Sequence, residues 1–480
     1  MSTKKDAPSS SSLSTIPADP PKYDPSCSSS VTLSSEDLDD GPLPPLVRKQ
    51  GIGAFMILIN FVKGMVGPGC LSLPLAFKQA GLWTGFALVI IYGFLNNYCM
   101  LQLVHCSQYL SRKRGDAHLD YGNVASEAFG SSFRSVRIHK NKAKMTVNTA
   151  IIFLQIGICS VFYLFVGVHT KELIEQYFEF RASTTMFLIM ILPAMILINF
   201  LRTLRIIAIF SAVGNVLMVV SLVFIYQHLI RSDHQFSKLP AMTDFDGIMT
   251  ATGAILYSFE GQAMVLPMEN RLKHPEKMVG PFGVLSSGMA FVTFVYTSCG
   301  FLGYITYGDG VQGSITLNLP DHPMFTVVKV LLTLVVFLGF VIQQYVIMEM
   351  TWPTIKSKVI APKFPKSSPI PFELAYRSGL VLIAMLIAIG IPNLENIIPL
   401  VGVTAGMMLA FVFPATLDSI TFLPPMVRRL PRLEGSEKTA QKLRIGWRIL
   451  QNSALIAIGI FGCIAGLQST IRALVTTDTS

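Results

Sequence analysis

The chain has 480 residues, of which 51% are hydrophobic and only 14% charged, with a mean hydropathy of +0.54. A water-soluble domain carries roughly 25% charged residues, so composition excludes one and points to a polytopic membrane protein. The formal charge of +10 collects in loops beside apolar stretches, which fits a topology signal rather than a surface for nucleic acid.

Residues 1–50 are set apart by composition. Met1–Pro45 is rich in Ser, Pro and Asp and nearly free of aromatic side chains, so residues 1–50 are predicted to be a disordered cytosolic tail. The tail lacks the apolar core of a signal peptide, so the first crossing segment is expected to direct insertion. Residues 51–473 then form one transmembrane domain, and 474–480 a short lumenal or extracellular tail.

Apolar stretches of ~20 residues recur near 52–80, 83–110, 147–169, 184–201, 205–230, 247–268, 281–305, 324–350, 373–391, 396–415 and 447–471. These predict eleven membrane-spanning helices in an all-α fold. Most Lys and Arg residues fall in the N-terminal tail and in the loops after even-numbered spans. By the positive-inside rule this places the N-terminus in the cytosol and favours an odd number of spans.

The first span, Ala54–Gln79, is interrupted by Gly64, Gly67, Pro68 and Gly69. In hydrocarbon, a break in a helix survives only where protein or a water-filled cavity meets the freed backbone groups. The sixth span carries a second interruption at Glu260-Gly261 and a proline at 267. Five spans separate the two breaks, the pattern of an inverted five-plus-five repeat with one extra helix. Half-helix ends expose N–H groups suited to a carboxylate and carbonyls suited to an ammonium. A zwitterionic amino acid presents both charges. Glycines that merely allow close helix packing are the rival explanation.

Two ionisable residues lie at these breaks, Lys63 and Glu260. A charge at mid-bilayer costs about 2.5–3.5 kcal/mol on insertion scales, so each needs a partner or a function. They are expected to face each other, either with Glu260 exchanging a proton during transport or as a static ion pair. Lys329 and Arg377 are read as snorkelling to headgroups, His105 and His169 as interfacial, Tyr163 as helix packing or substrate stacking, and Glu349 as a gate or a cap. The seven cysteines show no metal-ligand spacing, and Asn-x-Ser/Thr sequons are absent. No nucleotide-binding loop is present; the chain reads as a non-enzyme without a cofactor, driven by a gradient.

Three stretches, Leu58–Gly69 with Leu73-Pro74, Ser258–Asn270 and Gly313–Pro320, together with Asp120-Tyr121-Gly122 and the Arg202-Thr-Leu-Arg205 turn, resemble the proton-assisted amino acid transporters of the amino acid/auxin permease superfamily. The resemblance covers roughly residues 50–470. It implies a leucine-transporter-type fold, symport of small neutral amino acids with protons, and residence at the plasma or lysosomal membrane. By motif it places Gly64, Gly67 and Gly69 at one substrate-binding break and Phe259, Glu260 and Gly261 at the other. Members often carry a proton-coupling histidine at the position of Asn60, and a residue other than proline at Pro68. Asn cannot titrate, so coupling is expected to move to Glu260, change, or be absent. A proton-independent facilitator, or an amino acid sensor signalling through cytosolic partners, therefore stays open beside the symporter.

Overall fold

The computed structural model describes residues 51–478 apart from 116, 117, 179 and 365–367; the expected N-terminal tail lies outside the described residues. In chain order the helices are α1 (Ala54–Met65), α2 (Leu73–Ala80), α3 (Leu82–Arg114), α4 (Tyr121–Ser131), α5 (Arg134–Arg137), α6 (Lys140–Tyr177), α7 (Thr184–Asn199), α8 (Leu204–Arg231) and α9 (Phe245–Ser258). They continue as α10 (Gln262–Arg271), α11 (Val284–Tyr307), α12 (Pro323–Ile355), α13 (Ala361–Lys363), α14 (Ile370–Gly390), α15 (Leu394–Val401), α16 (Phe413–Arg429) and α17 (Gly435–Asp478). Among the described residues there is no strand, only an isolated bridge between Ile52 and Leu272. This is the all-helical solution a bilayer imposes, because each N–H and C=O must be bonded within its own segment. Helix α17 runs on to Asp478, through most of the stretch read as a terminal tail.

Among the described residues eight helices are long and apolar enough to cross a membrane, and nine if the bent pair Ala54–Met65 and Pro68–Ala80 counts as one span. The count of eleven is not reproduced by this measure. Helix α7 has only 16 residues, and α9 and α10 are halves of 14 and 10 residues separated by the second break. Each falls short of the ~20 residues a continuous span needs.

Position in the bundle follows from which faces are covered. Helix α6 is central, with 72% of its apolar window buried, whereas α8 is peripheral at 28%. The exposed side chains of α8 include Ile209, Val213, Val216, Val220 and Val223. Their three- and four-residue spacing makes one continuous apolar stripe. Facing lipid, such a stripe costs nothing, because lipid tails are as apolar as the side chains themselves.

Polar clusters join the helices. Asp418 on α16 accepts Nε and Nη2 of Arg448 on α17 at 2.7 and 2.8 Å, and Nδ2 of Asn452 at 2.8 Å. Gln102 on α3 donates to Asn452 at 2.7 Å, and the Arg448 guanidinium lies 4.2 Å from the Phe422 ring centroid. A second cluster joins Arg202 to Glu373 through two bonds of 3.1 and 2.7 Å. Glu373 also binds Arg377, whose Nη1 donates to the carbonyl of Asn199 at 3.0 Å.

Three sequence expectations are corrected by these contacts. Lys329 is 2% exposed and pairs with Glu172 at 2.6 Å, and Arg377 is buried against Glu373. Neither snorkels, because a carboxylate within the bundle neutralises each charge. His169 is fully buried, not interfacial; its ring bonds the Phe165 carbonyl at 2.9 Å and the Thr316 hydroxyl. That bond ties α6 to the loop carrying the Gly313–Pro320 motif.

Candidate functional site: two adjoining helix breaks

The first break follows from local chemistry. Pro68 has no N–H to donate to the preceding turn, and the flanking glycines lower helix propensity. Helix α1 ends at Met65, Gly67 is extended (φ −124°, ψ −166°), and a 3₁₀ turn over Pro68–Ser72 leads into α2. The two halves meet at a bend of 44°. In the second break α9 ends at Ser258, Gly261 takes φ −162° and ψ 0°, and α10 starts at Gln262.

The broken helices run antiparallel and side by side. At one end the Ile52 N–H donates to the Arg271 carbonyl at 2.8 Å, linking the start of α1 to the end of α10. At the other end the Thr243 N–H donates to the Ala80 carbonyl at 3.1 Å, linking the end of α2 to the start of α9. The breaks therefore fall at the same depth. Ser258 Oγ lies 2.8 Å from the Gly69 carbonyl, and a Cβ on Gly69 would stand 2.9 Å from Ser258 Cα. Only glycine permits this approach.

Side chains from other helices satisfy the backbone groups that the breaks expose. Tyr296 on α11, fully buried, places its hydroxyl 2.6 Å from the Met65 carbonyl and 2.8 Å from the Ser258 carbonyl. Asn96 on α3 donates to the Phe259 carbonyl at 2.9 Å and accepts from the Gln262 amide. Unpaired carbonyls at mid-membrane would otherwise cost several kcal/mol each.

A cavity of about 340 Å³ opens at the breaks, bounded by Gly64, Gly67, Gly69, Glu260 and Gly261. Helices α6 and α12 close it with Gln155, Phe162, Gln343 and Glu349, and the Gln155 and Gln343 amides are hydrogen-bonded to one another. Towards the end where α1 starts, the lining residues Gly64, Pro267 and Glu349 are exposed. Towards the opposite end, Gly69 to Ser72 and the loop residues Ile315 and Thr316 are buried. The cavity is open on one side and sealed on the other.

Of the residues expected at the site, Gly64, Gly67, Gly69, Glu260 and Gly261 line the cavity. Phe259 does not; its ring is buried against Tyr296, centroids 4.9 Å apart. Lys63 and Asn60 lie on the exposed face of α1 and are absent from the lining. The expected Lys63–Glu260 pair is corrected: among the described residues Lys63 makes no ion pair, and Glu260 lines the cavity with no hydrogen bond to its carboxylate. Helical spacing explains the difference. Ile57, Phe61 and Met65 form the inward face of α1, and a residue two positions before Met65 points roughly 200° away.

Tyr163 packs between helices, its hydroxyl donating to the Leu188 carbonyl at 2.7 Å and its ring lying against Phe340. Glu349 lines the cavity mouth. Sequence reading overlooked Asn96, Gln155, Tyr296 and Gln343. An amide or hydroxyl within an apolar span is itself a signal of internal pairing, but it does not name the partner.

A multi-helix bundle holding a solute-sized, one-sided cavity between two broken helices has the architecture of the leucine-transporter type. One solved structure similar to this fold, the inward facing conformation of Mhp1, matches with a TM-score of 0.53 at 12% identity, covering 91% of this chain and 94% of that one. The family described as "Transmembrane amino acid transporter protein" matches residues 50–430, and the chain belongs to that family. Among its relatives, "Probable amino acid transporter skat-1" of Caenorhabditis elegans is 34% identical over 459 residues, spanning 93% of this chain and 96% of the relative. "Proton-coupled amino acid transporter-like protein pathetic" of Drosophila melanogaster is 28% identical over 425 residues, spanning 87% and 84%.

Proposed function

We propose that this amino acid transporter carries small neutral amino acids by proton symport, with the zwitterion held between the two breaks of an eleven-span, five-plus-five inverted repeat. The substrate carboxylate meets N–H groups at the start of the Pro68–Ser72 turn and of α10, where preceding turns are missing. The ammonium meets the carbonyl ends of α1 and α9. A volume of about 340 Å³ sits near the lower limit of the ~300–1,000 Å³ found for ligand pockets, which favours small side chains. Met65, Ile158, Phe162 and Met264 give the cavity its apolar wall.

Glu260 carries the proton in this reading. The single observation that supports it is Glu260 in the cavity lining at the break between α9 and α10, with no hydrogen bond to its carboxylate among the described residues. Asn60, at the position where the resemblance expects histidine, lies outside the cavity lining. With the N-terminus in the cytosol, the open side of the cavity is cytosolic, and rocking of the bundle exposes the site to the other face. Purified protein in liposomes tests the reading through labelled alanine or glycine uptake with and without an imposed pH gradient. Gradient-stimulated uptake that disappears in Glu260→Gln supports proton symport. Uptake indifferent to the gradient makes the protein a facilitator, and binding without flux makes it a sensor.

A further inference from the structure

Away from the transport cavity, α5, the turn that follows it and the first turns of α6 carry Arg134, Arg137, His139, Lys140, Lys142 and Lys144. The first five are exposed, and among the described residues no acidic side chain pairs with them. The nearby Glu127 binds Arg114 at 3.0 Å, Asp120 caps α4 through the Asn123 N–H at 2.7 Å, and Lys144 donates to Asn123 Oδ1 at 2.7 Å. Ile138, in the middle of the basic run, is 79% exposed, and Phe133 is exposed beside it. Apolar side chains set among unpaired cations match the bilayer interface, where the apolar part enters the acyl region and the cations meet phosphates.

A cavity of about 290 Å³ opens beneath this cluster. His139 and Lys142 stand on its rim, and Phe129, Ala143, Val147 and Phe413 form its walls. It continues along α6 into a surface groove of about 580 Å³ that shares Thr146 and Phe413 with it. That groove runs past Thr149, Ala150 and Phe153 on one side and Thr404, Met408 and Cys463 on the other. From Lys142 to Phe153 the helix axis advances about 16 Å at ~1.5 Å per residue. One leaflet of a ~30 Å hydrocarbon core has about that depth. A cationic head and an apolar trough one leaflet long are complementary to a phospholipid.

We propose that this groove binds one anionic phospholipid, with its phosphate and charged headgroup among Arg137, His139 and Lys142 and one acyl chain along α6 from Ala143 to Phe153. A basic cluster acting only as a topology signal requires no trough beneath it. A free phosphate compound would use the cations but not the groove.

The test uses the full-length protein purified in detergent, with bound lipid counted by native mass spectrometry. Dioleoylphosphatidylserine is titrated against dioleoylphosphatidylcholine, with glycerophosphoserine as the competitor that has a headgroup and no chains. The expected result is phosphatidylserine retained about tenfold more tightly than phosphatidylcholine, without displacement by glycerophosphoserine at equal concentration. Arg137→Gln and Lys142→Gln, both at exposed positions, each weaken it about fivefold. Thr149→Trp, which fills the trough, weakens the binding of both lipids. Equal retention of the two lipids, effective competition by glycerophosphoserine, or unchanged binding in the two Gln variants overturns the proposal. If the Trp variant fails to fold, the Gln variants decide alone.

Discussion

The hydroxyl of Tyr296 stands 2.6 Å from the carbonyl oxygen of Met65, the last residue of the first half-helix. The Tyr296 hydroxyl is also 2.8 Å from the Ser258 carbonyl, where the first half of the other broken helix ends. A phenol has one proton to donate, so it serves both carbonyls by sharing or alternation. One side chain from an unbroken helix thus keeps the two interruptions in register. Tyr296→Phe preserves the ring contact with Phe259 but leaves both carbonyls without this donor. The expected effect is a stability loss of about 1–3 kcal/mol and clearly reduced uptake, measured by thermal unfolding and labelled-substrate flux. An unchanged melting curve together with normal flux would reject this role for the hydroxyl.

Glu260→Gln retains side-chain volume and removes the titratable group. Because no side chain pairs with Glu260 among the described residues, the variant should melt like the parent protein. Its uptake should no longer respond to an imposed pH gradient. Full gradient stimulation in the variant would transfer proton coupling to another group.

Gly69→Ala places a methyl group 2.9 Å from Ser258 Cα, closer than a real Cβ contact tolerates. The breaks must separate, and the Ser258–Gly69 hydrogen bond lengthens. Overpacking of this kind costs about 1–3 kcal/mol. Uptake should fall below a tenth of normal while surface expression persists, which a paired blot and flux assay resolves.

The sidedness of the cavity can be read by thiol labelling. Val346→Cys and Met264→Cys lie in the lining, and five of the six native cysteines described are buried. A membrane-impermeant maleimide should modify the introduced thiols from the side bearing the N-terminus and not from the other. Excess amino acid substrate should slow the reaction. Equal labelling from both sides would contradict a one-sided cavity.

Asp418→Asn removes the charge that Arg448 meets through two hydrogen bonds. Leaving one partner of a largely buried pair costs about 3–5 kcal/mol. Helix α17 should then loosen from α16 and α3, visible as a lower unfolding temperature. Replacing both partners with apolar residues, Asp418→Leu with Arg448→Met, should recover much of the loss. No recovery would mean that the Asn452 and Gln102 bonds, rather than the ion pair, hold the helix.

Much of the candidate site was legible along the chain, and particular residues show why. Gly64, Gly67, Gly69 and Glu260 interrupt apolar spans, and an interruption is visible wherever hydrophobicity is continuous on both sides. Lys63 was misassigned because apolar content alone does not show which face of α1 turns inward. Lys329 and Arg377 were misassigned because their carboxylates, Glu172 and Glu373, come from other spans or from an adjoining turn. The span count is blurred by the same breaks that mark the site, since each half-helix is too short to register as a crossing.

The amino-acid sequence by itself determined the membrane class, the family and the places where two helices must break, because hydrocarbon penalises any backbone group that its own segment cannot satisfy. The tertiary structure alone decided which groups repair those breaks and which charges neutralise one another. A hydrogen bond such as Tyr296 to Met65 joins atoms 231 residues apart, and such a pair comes into being only when the packed helices bring it together.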